Sequence, residues 1–222
     1  IRRQFEWVRR TSNTPVVVEK TCATSLRVGF VKAVLPDAKF IFITRDGIDA
    51  AASATQRWYA PFDLAYTARK ARFVPRSDIP YYATRFVWGQ VRKRAGRDHH
   101  NAQGLTSWWG PRPRDFRELM RTRPLDEVCA LQWQRCVEGG FRGVEGLPPD
   151  QLLRVSYEDF VAEPVAGARR VADFVGVDGP VDDSVRKVSV ASVGKGREAL
   201  GEEAVGRLEH LVGSTLAKVR RG

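Results

Sequence analysis

No uninterrupted apolar run in the 222 residues reaches membrane-spanning length, and the opening IRRQFEWVRR lacks the apolar centre of a signal peptide. Neither a spanning helix nor a secretory leader is expected. Cysteine is scarce: Cys22, Cys129 and Cys136 are odd in number, at spacings that fit neither a disulfide framework nor a zinc site. That usage fits a reducing compartment, so a cytoplasmic location is expected. Cys129 and Cys136, seven apart, share a helix face and read as small buried hydrophobes. Internal repeats and low-complexity tracts are missing too. So is the pattern GxxxxGK[ST] that a nucleotide phosphotransferase with a P-loop requires.

Positive charge, by contrast, is abundant. Lys and Arg outnumber Asp and Glu by 37 to 26, a net charge of +11, which points to anionic partners: nucleic acid, anionic lipid, or a small ligand bearing phosphate or sulfate. A length of 222 residues with 43% hydrophobic content suits one well-buried core, so a single domain over 1–222 is expected.

Along the chain, TPVVVEK reads as a short β-branched strand, and LRVGFVKAVLP repeats apolar residues at helical spacing up to Pro36. AKFIFIT is a continuous apolar run of the kind buried in a parallel sheet, and the alanine-rich DGIDAAASATQRW after it reads as helix. QLLRVSY is a third strand candidate, followed by an amphipathic helix with Glu163 and Pro164 at its N-cap and first position. Val205, Leu208, Leu211, Val212, Leu216 and Val219 line one face of a closing helix. Strand and helix alternate, which predicts an α/β fold with a parallel β-sheet flanked by helices. Between Trp58 and Leu125 the alternation gives way to a basic, aromatic, turn-rich stretch, read as an insertion (58–125) that shapes specificity.

Ligands of open parallel sheets bind beyond the carboxyl ends of the strands, and Arg45 falls at such an end. Ser53, eight residues on and about two turns along the following helix, can join it on one tetrahedral anion. The plainer alternative is a salt bridge from Arg45 to Asp46 or Asp49, with a serine merely tolerated.

RDGIDAAAS resembles the segment with which sulfotransferases using 3'-phosphoadenosine 5'-phosphosulfate (PAPS) hold the donor's 3'-phosphate. Upstream, VVVEKTCATSLR is similar to that family's strand ending in Glu-Lys-Thr, with Glu19, Lys20 and Thr21 about 25 residues before the arginine. Downstream, LLRVSYEDFVAEP looks like its strand and Tyr-Glu-Asp signature, which implies that Tyr157 lies near the adenine. SVGKGREAL is similar to the late loop that closes over the 3'-phosphate through Lys195, Gly196 and Arg197. Any one of these motifs is common by chance, but four in family order span nearly the whole chain. The resemblance implies a P-loop-like sulfotransferase fold, PAPS as donor, adenosine 3',5'-bisphosphate (PAP) as product, and an acceptor hydroxyl on a carbohydrate or small molecule.

Sulfuryl transfer, like phosphoryl transfer, is an in-line displacement in which the protein positions the partners and stabilises charge, with no metal required. The resemblance makes Lys20 the residue at the transferred group. Where the family's cytosolic branch has a His after Lys-Thr, this chain has Cys22, a poor base that reads better as structural. Glu19 is a base candidate or an orienting partner of Lys20, and His99 and His100 are base candidates or solvated loop residues. Trp108, Trp109 and Arg112 fit a substrate-stacking role or a packing cluster. The competing reading is a basic nucleic-acid-binding domain, whose binding would be steeply salt-dependent and indifferent to a 3',5'-bisphosphate nucleotide. Nothing before Val16 resembles the family's phosphosulfate loop and the sequence opens on Ile1, so a preceding segment with that strand and loop is expected outside the 222 residues. Without it, weak donor binding and aggregation are expected.

Overall fold

An apolar run of strand length needs a ladder partner, and Phe40–Thr44 (β1) finds one far down the chain in Leu152–Ser156 (β2), although β1 is only half-buried, with Ile43 57% exposed, and not the enclosed strand its composition suggests. The two strands are parallel, with Phe40 opposite Leu152 and Thr44 opposite Ser156. The computed structural model describes residues 1–59, 80–81, 83–84, 87–88, 110–181 and 183–221. Among them this pair is the whole sheet.

Helices fill the rest. Arg2–Ser12 (α1) ends at Asn13, whose left-handed φ of 48° closes the last turn. A 3₁₀ turn at Cys22–Leu26 leads into Val28–Val34 (α2), and Gly47–Tyr59 (α3) follows β1. Further on come Phe116–Thr122 (α4) and the long Leu125–Val144 (α5). After β2 lie Tyr157–Ala162 (α6), Pro164–Val175 (α7) and Asp183–Arg186 (α8). A 3₁₀ turn at Val190–Ser192 precedes Lys195–Leu200 (α9) and Glu202–Arg221 (α10). Glu163 and Pro164 stand at the N-cap and first position of α7, as their sequence predicts, because proline's missing N–H is harmless there. Among the described residues no helix is long and apolar enough to cross a membrane.

The core lies where α3, α5 and α10 meet. Ile48, Val128, Leu208 and Val212 are fully buried there, each worth about 1.5–3 kcal/mol of transfer free energy. The predicted stripe of α10 is the buried one: Leu208, Val212 and Leu216 point inward, and Val205 and Leu211 pack at the margin. Cys129 is buried and Cys136 half-buried on α5, as their spacing implies. Burial pushes the Cys129 thiol up to about 11 and raises that of Cys136. Trp58, Leu119 and Met120 belong to this core, so both flanks of the 58–125 stretch are anchored in it. Two glycines let α5 press against its neighbours: a Cβ on Gly47 would lie 2.7 Å from the Trp133 ring, and one on Gly140 2.4 Å from Phe42.

Three local expectations need correction. TPVVVEK is not a strand: residues 14–20 carry no ladder pairing and Val18 is 73% exposed. β-branched composition favours extended backbone, but a strand exists only where a neighbour takes its hydrogen bonds, and β1 gives its ladder to β2. Tyr157 opens α6 rather than ending β2, because Ser156 caps that helix by accepting the Asp159 N–H at 3.2 Å. Lys195–Leu200 is helical rather than a loop, and the left-handed Gly194 (φ 82°) turns the chain into it.

Candidate functional site

Arg45 is the first residue past the C-terminal end of β1, and three elements hold it there. Trp133 on α5 donates its indole N–H to the Arg45 carbonyl at 3.1 Å. The guanidinium lies over the Tyr157 ring, 4.6 Å from its centroid, and Nη2 donates to the Ser192 carbonyl at 3.2 Å. The hydroxyls of Tyr157 and Ser192 are hydrogen-bonded at 2.8 Å. The Arg45 Nε is buried and has no hydrogen-bond partner among the described residues. No ion pair joins Arg45 to Asp46 or Asp49 among the described residues, because both carboxylates are committed elsewhere.

Asp46 caps α3, accepting from the N–H groups of Ile48 at 2.9 Å and Asp49 at 3.3 Å, while its other oxygen faces Arg220 at 3.4 Å and Arg197 at 3.8 Å. Its own N–H donates to Glu158 at 2.9 Å, which ties the β1 exit to the start of α6. Asp49 is 3% exposed and accepts two backbone N–H groups, from Gly194 to Oδ2 and Gly196 to Oδ1, both at 2.7 Å. These bonds clamp the 194–197 turn onto the first turn of α3. A Cβ on Gly196 would fall 2.5 Å from the Asp49 Cα, so only glycine lets the two backbones come this close.

Ser53 is exposed on α3, four residues and about one turn beyond Asp49 on the same side of the helix. Lys195, also exposed, opens α9 within that turn. The clamp thus brings the turn that carries Lys195 and Gly196, some 145 positions on, against the first turn of α3, while Arg45 reaches the neighbouring Ser192 carbonyl. Arg197 is held by Glu209 at 2.8 Å, a hydrogen bond that raises its pKa, and backs Asp46. The sequence did not single out Asp49, Trp133, Glu158 or Ser192 for the site. A carboxylate in the first turn of a helix reads as routine capping, and only contacts across 88 to 147 positions reveal the clamp and its braces.

Glu19 and Lys20 lie in the exposed segment before the Cys22–Leu26 turn. Glu19 accepts a long hydrogen bond, 3.4 Å, from Thr24, and Lys20 has no side-chain partner among the described residues. Among the described residues no hydrogen bond or ion pair joins them to Arg45. Arg112 is exposed with its guanidinium over Phe116, 4.8 Å from the ring centroid. His99, His100, Trp108 and Trp109 lie outside the described residues.

A family model described as the sulfotransferase family matches residues 1–85 and 93–183, so the chain belongs to the sulfotransferase family. It is a transferase of that class, and its parallel strand pair packed with helices fits the P-loop-like fold. The Ser192–Arg197 segment lies beyond the matched residues, and it is the tertiary structure that brings it to the Arg45 end of β1. No curated protein and no solved structure matches the chain.

Proposed function

We propose that the protein moves a sulfuryl group from PAPS to an acceptor hydroxyl on a carbohydrate or small molecule, working as one sulfotransferase domain with 58–125 as its specificity insertion. The observation that supports this most is the junction of the β1 tip, the Asp49 face of α3 and the 192–197 turn. There Arg45 has a buried Nε without a hydrogen-bond partner among the described residues, and the flanking α3 and 192–197 turn carry an exposed serine and an exposed lysine. That donor set fits a phosphate monoester, with charge-assisted bonds from Arg45 and Lys195 and a neutral bond from Ser53. PAPS supplies the sulfuryl group and leaves as PAP.

Arg45, Ser53 and Lys195 bind the nucleotide's 3'-phosphate, far from the bond that breaks, so their binding energy positions the donor. Arg197, already engaged by Glu209, adds positive potential behind them, and Gly196 permits the close docking of the turn. Tyr157, braced by Arg45 and Ser192, is assigned to the adenine end. Lys20 neutralises charge gathering on the bridging oxygen, and Glu19 orients it or takes the acceptor's proton. Thermal shift tests the reading. PAP should raise the melting temperature clearly more than AMP does, and Arg45→Ala should abolish the difference. Equal shifts from both nucleotides in the wild type would remove the assignment.

A further inference from the structure

Helix α5 has two working faces. Trp133 and Gly140, seven apart, meet Gly47 and Phe42 and look toward β1 and Arg45. Arg135 and Arg142, also seven apart, lie about 200° round the helix from that pair. Between them Gly139 packs against the Cys22–Leu26 turn, where a Cβ would stand 3.0 Å from the Ser25 carbonyl. The second face opens into a cleft of about 650 Å³ bounded by that turn, by α5 and by the segment leading into α4.

Its lining is one-sided in charge. Arg27, Arg112, Arg114, Arg135 and Arg142 enter it, against the single carboxylate of Asp115. Arg135 pairs with Asp115 at 3.2 Å, and Arg142 sits 3.9 Å from Glu138. Arg27 and Arg114 have no acidic partner among the described residues, and Arg112 meets only the Phe116 ring. Five guanidinium groups converging on one concavity repel one another, and an anion filling the cleft removes that cost. The cavity has the size of a small-ligand site. A nucleic-acid strand would instead call for a long basic groove with bases stacked on exposed aromatics.

We infer that this cleft is a second anion site, separate from the nucleotide's, and that it holds an acceptor carrying at least two carboxylate or sulfate groups, of the acidic oligosaccharide class. Arginine forks grip such groups in bidentate pairs. Ala23 on its lining is three residues after Lys20, so the cleft lies within about 10 Å of chain from the segment assigned to the transferred group. Calling the ligand an acceptor rests on the transfer reading above, whereas the anion site does not.

Calorimetry with a heparin tetrasaccharide as probe, maltotetraose as neutral control and a single-stranded oligonucleotide as competing class tests the inference at physiological salt. The tetrasaccharide should bind and maltotetraose should not. Arg27→Ala/Arg114→Ala should weaken binding roughly tenfold or more, as should the shape-conserving Arg27→Gln/Arg114→Gln pair, with circular dichroism unchanged. Arg186→Ala/Lys187→Ala, an equal charge loss elsewhere, should leave it intact. Arg45→Ala should lose PAP but keep the tetrasaccharide, so failure of the donor reading and failure of the anion cleft give different patterns. The inference is overturned if the wild type ignores the tetrasaccharide or prefers the oligonucleotide. It is equally overturned if PAP displaces the tetrasaccharide, or if the Arg27/Arg114 variants bind as tightly as Arg186→Ala/Lys187→Ala.

Discussion

Replacing Asp49 by Asn changes one atom of a buried side chain and should unclamp the turn that carries Lys195. The carboxylate accepts two backbone N–H groups at 2.7 Å, one on each oxygen, at 3% exposure. Hydrogen bonds to a charged acceptor are worth about 1.5–3 kcal/mol each. Asn keeps one acceptor, weakens it by removing the charge, and turns an NH₂ toward the second N–H, setting donor against donor. Burying an amide costs less than burying a carboxylate, which offsets part of the loss. The expected net effect is a weakening of about 2–3 kcal/mol. The turn sits at the edge of the α3–α5–α10 core, so part of this should appear as local opening. Hydrogen exchange at the Gly194 and Gly196 amides should speed up, and the urea midpoint should fall. Affinity for PAP should drop alongside, because Ser192, which accepts from Arg45 and bonds Tyr157, belongs to the same segment. An Asp49→Asn protein with the wild-type urea midpoint and unchanged exchange at both glycines would refute the clamp.

Gly196→Ala should cost about 1–3 kcal/mol by overpacking, since its Cβ would stand 2.9 Å from the Ile48 carbonyl as well as 2.5 Å from the Asp49 Cα. Gly206→Ala, with open space around its Cβ inside α10, should stabilise by about 0.5–1 kcal/mol, and urea titration of both variants checks the contrast. Lys20→Ala should lower turnover far more than PAP affinity in steady-state kinetics, whereas Cys22→Ser should leave turnover nearly intact; a hundredfold loss in a folded Cys22 variant, roughly the share of a general base, would make that cysteine the base. Cys129, raised by burial from 9.0 to about 11, keeps its proton in the folded state after the unfolded chain has lost its own. Its contribution is therefore whole below pH 9.0 and fades as pH rises through about 11, an effect of about 2–3 kcal/mol. Cys129→Ala should flatten the alkaline slope of stability, and thiol reagents should label exposed Cys22 long before buried Cys129.

Local patterns carried much of this protein into view. The alanine-rich run after Arg45, the Glu163-Pro164 start of α7 and the apolar stripe of α10 all form as their spacing predicts, since periodicity and capping act within a few residues. The placement of Arg45 at a strand tip and Ser53 on the helix beyond it was legible for the same reason. Pairing across long separations was not. Val16–Lys20 has the composition of a strand yet stays unpaired, because a ladder depends on which segment arrives beside it. The grip of Asp49 on Gly194 and Gly196 spans 145 and 147 positions, and the arginine cleft is assembled from three separate stretches. A residue's own neighbours say what it can do chemically, but which partners it meets is settled only when the α3–α5–α10 core packs and brings distant backbone within hydrogen-bonding distance.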